Sequence, residues 1–246
     1  MPPARKALLA QIGGWGAAWL LGRCGLLPAG AWPLAFIQGA AAAALAASLR
    51  SARWWLPIHL AFTPLALAAQ ALALPPGAWL AAFAALTLIY WSSFRTQAPL
   101  FLTNRPSAAA VAALLPPGPA AVLDIGCGIG SLLAALATQR PDLRLTGIET
   151  APAPFALARL RTRKHPGVTV IRGDFFTHSW AEYDLVYAFL SPVPMRAVWE
   201  KAQREMKPGS LLVSNSFGIP GQAPGRTIEI ADRRRTRLLV FSIRPV

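Results

Sequence analysis

The stretch AVLDIGCGIGS, residues 121–131, constrains the fold of this chain more than any other. Ala121 to Leu123 is a short apolar run of the kind that a buried parallel strand requires. Asp124 closes it, and glycines follow at alternate positions, Gly126, Gly128 and Gly130. Ser131 to Ala137 then reads as the first turns of a helix. A strand, a glycine-rich turn and a helix together form a place where a ligand can lie against bare backbone. The spacing departs from the dinucleotide fingerprint G-x-G-x-x-G, because the residue three after Gly128 is Ser131. An ordinary strand-to-helix turn, with glycines for tight packing alone, is the remaining reading of these residues by themselves.

Around this stretch the chain divides by charge. No Asp or Glu precedes Asp124, and residues 1–100 hold six basic residues, while the other 18 Lys and Arg and all ten acids lie beyond. A membrane portion followed by a globular portion explains the split. The net charge of +14 raises nucleic acid as a partner. The arginines are scattered, however, with no nucleic-acid module and no regular interleaving with aromatics, so no nucleic-acid partner is expected. A basic protein held on an anionic inner leaflet is the simpler account, with membrane lipids as partners. Cys24 and Cys127 are the two cysteines. They make no disulfide framework and no metal site, which points to a reducing compartment.

The chain opens with a basic segment and an apolar stretch, a pattern shared with signal peptides. Further uncharged runs, Cys24 to Leu49 and the 41 residues from Trp54 to Phe94, argue instead for membrane spans. Pro75-Pro76-Gly77 breaks the last run in two. Four helices are expected, near 7–23, 30–49, 55–74 and 77–94. Arg5, Lys6, Arg50, Arg53 and Arg95 would all face one side, the cytoplasm of a bacterial-type inner membrane. His59 and Gln70 lie inside spans and are read as interhelical hydrogen-bonding groups. The organisation expected is a transmembrane region over 1–95, a linker and short helix over 96–120, and an α/β domain over 121–246. In that domain strands near 121–124, 143–148, 168–171, 184–189 and 210–215 alternate with helices near 131–139, 153–164 and 194–206. A terminal hairpin at 227–231 and 237–243 follows. This alternation predicts a parallel sheet with helices on both faces.

Chemistry-bearing residues fall at the carboxyl ends of the strands, where open α/β sheets bind ligands. Glu149 ends LTGIE (145–149), Asp174 follows the third strand in RGDFF (172–176), and YDLVYAFLSP (183–192) is the fourth strand and its exit. MKPGSLLVSNS (206–216) makes the turn into the fifth. Each acid alone also reads as a solvated cap.

In this order, with G-x-G-x-G after an acidic strand end, the pattern resembles the class I S-adenosylmethionine-dependent methyltransferases. That resemblance implies a Rossmann-like, mostly parallel seven-stranded sheet with S-adenosylmethionine as cofactor. Asp124, Gly126, Cys127, Gly128 and Gly130 would form the cofactor turn and Glu149 would take the ribose hydroxyls. Asp174 would meet the adenine amino group, with Phe175 against the ring. The segment PLFLTNRPS (99–107), VLDIGCGIG (122–130), Phe155 beyond Glu149 and the exit Phe189-Leu190-Ser191-Pro192 narrow the resemblance. They look like the membrane-anchored lysine methyltransferases that modify the ATP synthase c-subunit and the adenine nucleotide translocase. Two departures stand out: Ile129 occupies a position where that family often has an acid, and the mitochondrial members have one membrane segment where four are expected here.

The expected function is therefore an integral membrane methyltransferase acting on a lysine of a membrane-associated protein. Tyr187, Phe189, Ser191 and Pro192 are expected at the transfer site. Methylation of a lipid or lipophilic small molecule is the alternative acceptor, and a membrane-anchored cofactor-binding module without turnover is the alternative class. No N-P-P-Y or D-P-P-Y signature stands at the strand-four exit. His165 and His178 read as loop residues, and the RRRTR run (233–237) reads either as a solvated turn or as a lipid contact.

Overall fold

A computed structural model describes residues 3–89 and 102–244. The chain divides into two compact units, Met1–Leu80 and Ala81–Val246. The boundary expected at residue 95 lies outside the described residues.

The apolar, proline-punctuated sequence of the first part folds into helices α1 (Pro3–Arg23), α2 (Ala31–Ser48) and α3 (Trp55–Gln70), followed by α4 (Pro76–Ile89). Small residues let α1, α2 and α3 approach closely. A Cβ on Gly39 would sit 2.4 Å from the Leu60 carbonyl oxygen, and one on Gly14 would sit 2.8 Å from Ala42 Cβ. Among the buried alanines between them, Ala10, Ala18, Ala35, Ala42 and Ala46, lies a polar cluster. Gln38 Nε2 donates to Gln11 Oε1 at 2.9 Å, and Gln11 Nε2 meets His59 Nδ1 at 3.0 Å. The Thr63 hydroxyl donates to Gln38 Oε1. Gln38 and His59 are buried, whereas Trp15, Trp19, Phe36, Phe62 and Leu65 are exposed. His59 thus joins helices as expected, but Gln70 does not. It is exposed, at the last residue of α3. Among the described residues, α2 is the one helix long and apolar enough to cross a membrane.

In the second unit the alternating pattern becomes a seven-stranded sheet of order β3-β2-β1-β4-β5-β7-β6. Strands β1 (Ala121–Ile125), β2 (Arg144–Glu149), β3 (Val168–Arg172), β4 (Leu185–Ala188) and β5 (Leu211–Asn215) run parallel. The terminal hairpin, β6 (Arg226–Glu229) and β7 (Arg237–Ser242), adds antiparallel to β5. Helices α5 (Arg105–Ala112), α6 (Ser131–Gln139), α7 (Pro152–Thr162) and α8 (Met195–Glu205) complete the unit. Leu132, Leu133 and Leu136 of α6 belong to one core layer, and Trp180, Met195 and Val198 to another. Every residue of β1 is buried, which is why it reads as unbroken apolar sequence up to its single acid.

The chain winds outward from β1 to β3 and then returns to place β4 on the other side of β1. That reversal opens a crevice at the carboxyl ends of β1 and β4. Asp124 lies in register with Gly147 on one side and Tyr187 on the other. Gly147 permits the tight contact of β2 with α6 and the glycine turn: a Cβ there would lie 2.4 Å from Leu133 Cδ1 and 2.8 Å from Cys127 Sγ. Gly147→Ala is expected to destabilise the protein by about 1–3 kcal/mol through overpacking. A melt followed by near-ultraviolet circular dichroism checks this, and an unchanged midpoint would mean that α6 retreats freely.

Candidate active site

The glycine turn between β1 and α6 is built on left-handed backbone, with φ of 73° at Gly126, 56° at Gly128 and 71° at Gly130. Two of these positions are also crowded. A Cβ on Gly126 would meet Leu190 Cδ2 at 2.8 Å, and one on Gly130 would meet Ala158 Cβ at 3.2 Å. The turn uses its own amides. Gly126 and Cys127 donate to the Ile148 carbonyl at 2.9 and 3.0 Å, and Gly130 donates to the Cys127 carbonyl at 2.9 Å. Gly128 donates to Glu149 Oε2 at 2.9 Å. Four amides bonded internally make a poor phosphate cradle, a second argument against a dinucleotide. What the turn offers a ligand is a surface without side chains, bordered by carboxylates.

Glu149 closes β2 and fastens the turn. Its Oε1 accepts the Ala151 amide at 2.7 Å while Oε2 takes Gly128, so each oxygen keeps a lone pair for a hydroxyl. Burial pushes its pKa upward against those two bonds. Asp124 is buried in β1, and burial together with the nearby Glu149 charge pushes its pKa up to about 8. The same burial, reinforced by both carboxylates, holds the Cys127 thiol well above its usual value. Cys127 packs against Gly147, where a Cβ would lie 2.8 Å from its Sγ.

The remaining sequence-derived residues lie at neighbouring strand ends. Asp174 is exposed, and its Oδ1 accepts the Phe176 amide at 2.9 Å, so it is held in a turn with its other oxygen outward. Phe175 beside it is half-buried, with its ring centroid 6.5 Å from that of Trp180. The Thr150 hydroxyl bonds the Gly173 carbonyl at 3.0 Å and ties this exit to that of β2. Phe189 is half-buried, Ser191 buried and Pro192 exposed at the β4 exit.

Tyr187, expected at the transfer site, is fully buried in this structure. Its hydroxyl accepts Asn215 Nδ2 at 2.7 Å and shares a hydrogen with Thr103 Oγ1 at 2.9 Å, and burial raises its pKa. A side chain of β4 alternates in direction, and Tyr187 points into the layer beneath a strap formed by Thr103 and Asn104. Asn104 caps α5 by accepting the Ser107 amide at 2.9 Å and donates from Nδ2 to Asp232 Oδ2 at 2.5 Å. The Thr236 hydroxyl and amide lead the donors that hold Asp232 down to about 2. Sequence reasoning assigned no role to Thr103, Asn104, Asn215 or Asp232. The signal available was Asn-Arg-Pro, an N-cap followed by proline in the first helical turn.

Residues 124–226 match the ANTKMT methyltransferase domain family. A protein-lysine N-methyltransferase of Saccharolobus islandicus is 30% identical over 115 residues, covering 45% of this chain and 71% of that protein. This chain belongs to the class I S-adenosylmethionine-dependent methyltransferases. A release factor glutamine methyltransferase of Geobacter sulfurreducens is 32% identical over 108 residues, 42% of this methyltransferase and 38% of that protein. An RNA methyltransferase from Salinibacter ruber, in complex with S-adenosyl-L-homocysteine, superposes with a TM-score of 0.54 at 23% identity. The superposition covers 59% of this chain and 95% of that one and shows a shared fold. The residues present suit the cofactor. A Cβ-free turn leaves room for it, Glu149 can accept from hydroxyls, and the Asp124–Glu149 pair favours a cationic ligand.

That pair predicts a pH dependence. Folded, ligand-free protein keeps a proton on Asp124 that an unfolded carboxyl, with a pKa of about 3.9, has lost. Stability should therefore fall as pH rises from about 5 to 8 and level off above the folded pKa. Asp184, Glu205 and Asp232, all lowered, act in the opposite sense and at more acid pH. Melting temperatures of the cofactor-free protein across this range should show the slope, and Asp124→Asn should flatten it.

Proposed function

We propose that this methyltransferase is an integral membrane protein-lysine N-methyltransferase that acts on a membrane-associated protein from the cytoplasmic face. The observation that carries the reading is the seating of Leu190 against Gly126, which brings the β4 exit alongside the cofactor turn. Phe189, Ser191 and Pro192 then stand where an acceptor nitrogen would approach. Asp124, Gly126, Cys127 through its backbone, Gly128 and Gly130 form the cofactor turn in this reading. Glu149 takes the ribose, and Asp174 with Phe175 takes the adenine. Tyr187 positions the strap from below.

S-adenosylmethionine, when bound, supplies a methyl group on a sulfonium. Transfer of that methyl to a neutral amine would leave a neutral thioether and release one proton to water. The protein's part is to present a neutral amine in line and keep other nucleophiles away. Phe189 and Pro192 provide apolar surface that lowers a lysine pKa by desolvation. The lysine reading gains support from the Saccharolobus relative, which is named a protein-lysine N-methyltransferase.

The membrane assignment, with residues 1–95 as the transmembrane region and 96–120 as the connection to the catalytic domain, rests on inverted polarity. Gln11, Gln38, His59 and Thr63 bond one another between α1, α2 and α3 while tryptophan and phenylalanine face outward. Bundles in water are apolar inside, whereas interhelical polar bonds and an apolar exterior suit lipid.

Membranes containing the full chain, supplied with methyl-labelled S-adenosylmethionine, should place label in a protein band that yields methyl-lysine on acid hydrolysis. Label confined to the organic extract would reassign the acceptor to a lipid or lipophilic small molecule. Phe189→Ala should lower transfer by roughly tenfold to a hundredfold while leaving S-adenosylhomocysteine affinity within about twofold. Equal losses in both would sink the acceptor-side placement of Phe189.

A further inference from the structure

Helix α7 is turned the wrong way round for a helix of a soluble domain. Its sequence PAPFALARLRT buries Pro154, Ala158 and Thr162, small residues that let it lie close to the turn at Gly130. The larger apolar residues face out: Leu157 is 51% and Leu160 57% exposed. Together with Ala153 and Ala156 they follow i, i+3, i+4, i+7 spacing and so make one continuous apolar strip. Arg159 and Arg163 border the strip on one side, Arg161 on the other, and Lys164 stands just beyond the helix end. All four are exposed. No acid occurs between Glu149 and Asp174. Beyond the C-terminus of α7, a hollow of about 330 Å³ is lined by Arg159, Arg163 and His165.

We infer that α7 is a membrane-surface helix, which sets Leu157 and Leu160 into the acyl boundary of an anionic leaflet while its arginines and Lys164 engage phosphate headgroups. An apolar strip bordered by cations is the pattern by which amphipathic helices lie in the bilayer interface. A protein partner would be expected to find acids or hydrogen-bonding side chains among the leucines, and α7 offers none between Ala151 and Thr162 except cations. The inference goes beyond the proposed spans, because α7 would hold a leaflet whether or not the N-terminal helices cross it. Docked in this way, the helix that follows Glu149 fixes the catalytic unit at the membrane, where a membrane-associated acceptor would be presented.

The test uses the full chain in a Cys24→Ser background, with Leu160→Cys carrying an environment-sensitive fluorophore, in phosphatidylcholine bilayers with or without phosphatidylglycerol. In anionic bilayers the emission should shift to the blue and be quenched by acyl-chain spin-labelled lipid. Both signals should be lost on adding Arg159→Gln, Arg163→Gln and Lys164→Gln, with S-adenosylhomocysteine binding retained as the check on folding. Aqueous emission in both bilayers would overturn the inference. So would a blue shift without lipid quenching, which would mean that protein, whether a second copy or another chain, covers α7. Alkaline carbonate separates this from the spans. Extraction of a chain whose label had been quenched would refute the spans and leave α7 standing, whereas retention with an aqueous label would do the reverse.

Discussion

Two carboxylates beneath one glycine turn set the terms for the rest of the catalytic unit. Asp124 and Glu149 lie at the carboxyl ends of adjacent strands, the first buried and the second half-buried, and burial raises the pKa of both. The cost of burying like charges is met in part by retained protons and in part by the Gly128 and Ala151 amides on Glu149. The second device requires the turn to double back toward β2, which is possible because its three glycines occupy left-handed backbone. The glycines therefore serve the carboxylate as much as the ligand. Burial is the main cause of the raised Asp124 pKa and repulsion from Glu149 adds to it, so a positive ligand would offset both and favour release of its proton.

On the far side of β1 a neutral network does comparable work. Tyr187, Asn215 and Thr103 join β4, β5 and the strap through one buried phenol, and Asn104 extends the connection to Asp232 in the β6–β7 turn. Asp232 satisfies the Thr236 hydroxyl, the Thr236 and Arg234 amides and Asn104 with two oxygens. The segment before α5, far from β7 in sequence, is thus bolted to the carboxyl edge of the sheet. It bounds the crevice on the β5 side, while the carboxylate pair bounds it on the β2 side.

Most of the sheet was legible because parallel strands buried on both faces leave unbroken apolar runs, and their exits carry the acids and glycines that chemistry needs. β1 through β5 and the terminal hairpin lie within a residue or two of their expected places, and so do α6 and α8. The direction in which a strand residue points was less legible at β4. Both of its faces are covered, so YDLVYAFL has no polar alternation to show that Tyr187 looks inward to a hydroxyl partner 84 residues earlier. The Asn104–Asp232 bond is longer in range still and leaves no periodic trace. For α7 the sequence shows leucines and arginines at helical spacing, and only the fold reveals that alanine and threonine take the buried side and leucine the exposed one.

Charge placement ties these observations together. Beyond residue 100 the chain has 18 Lys and Arg against ten acids, and the acids are largely committed to local bonds. Asp142 holds Arg140, Asp184 holds Lys207 and the Ala121 amide, and Glu205 holds Lys201 over the Trp180 ring. These pairs engage only some of the cations, so they leave the excess of bases unexplained. Eight or so surplus cations instead raise the self-repulsion of a compact domain. Such a surplus is sustainable where an external negative surface neutralises it. The acid-free stretch from Thr150 to Gly173 concentrates it on the helix whose apolar side chains already face outward. Polarity inverted in the N-terminal helices and charge left unbalanced on α7 would both be answered by the one setting proposed for this protein, apolar in depth and anionic at the surface.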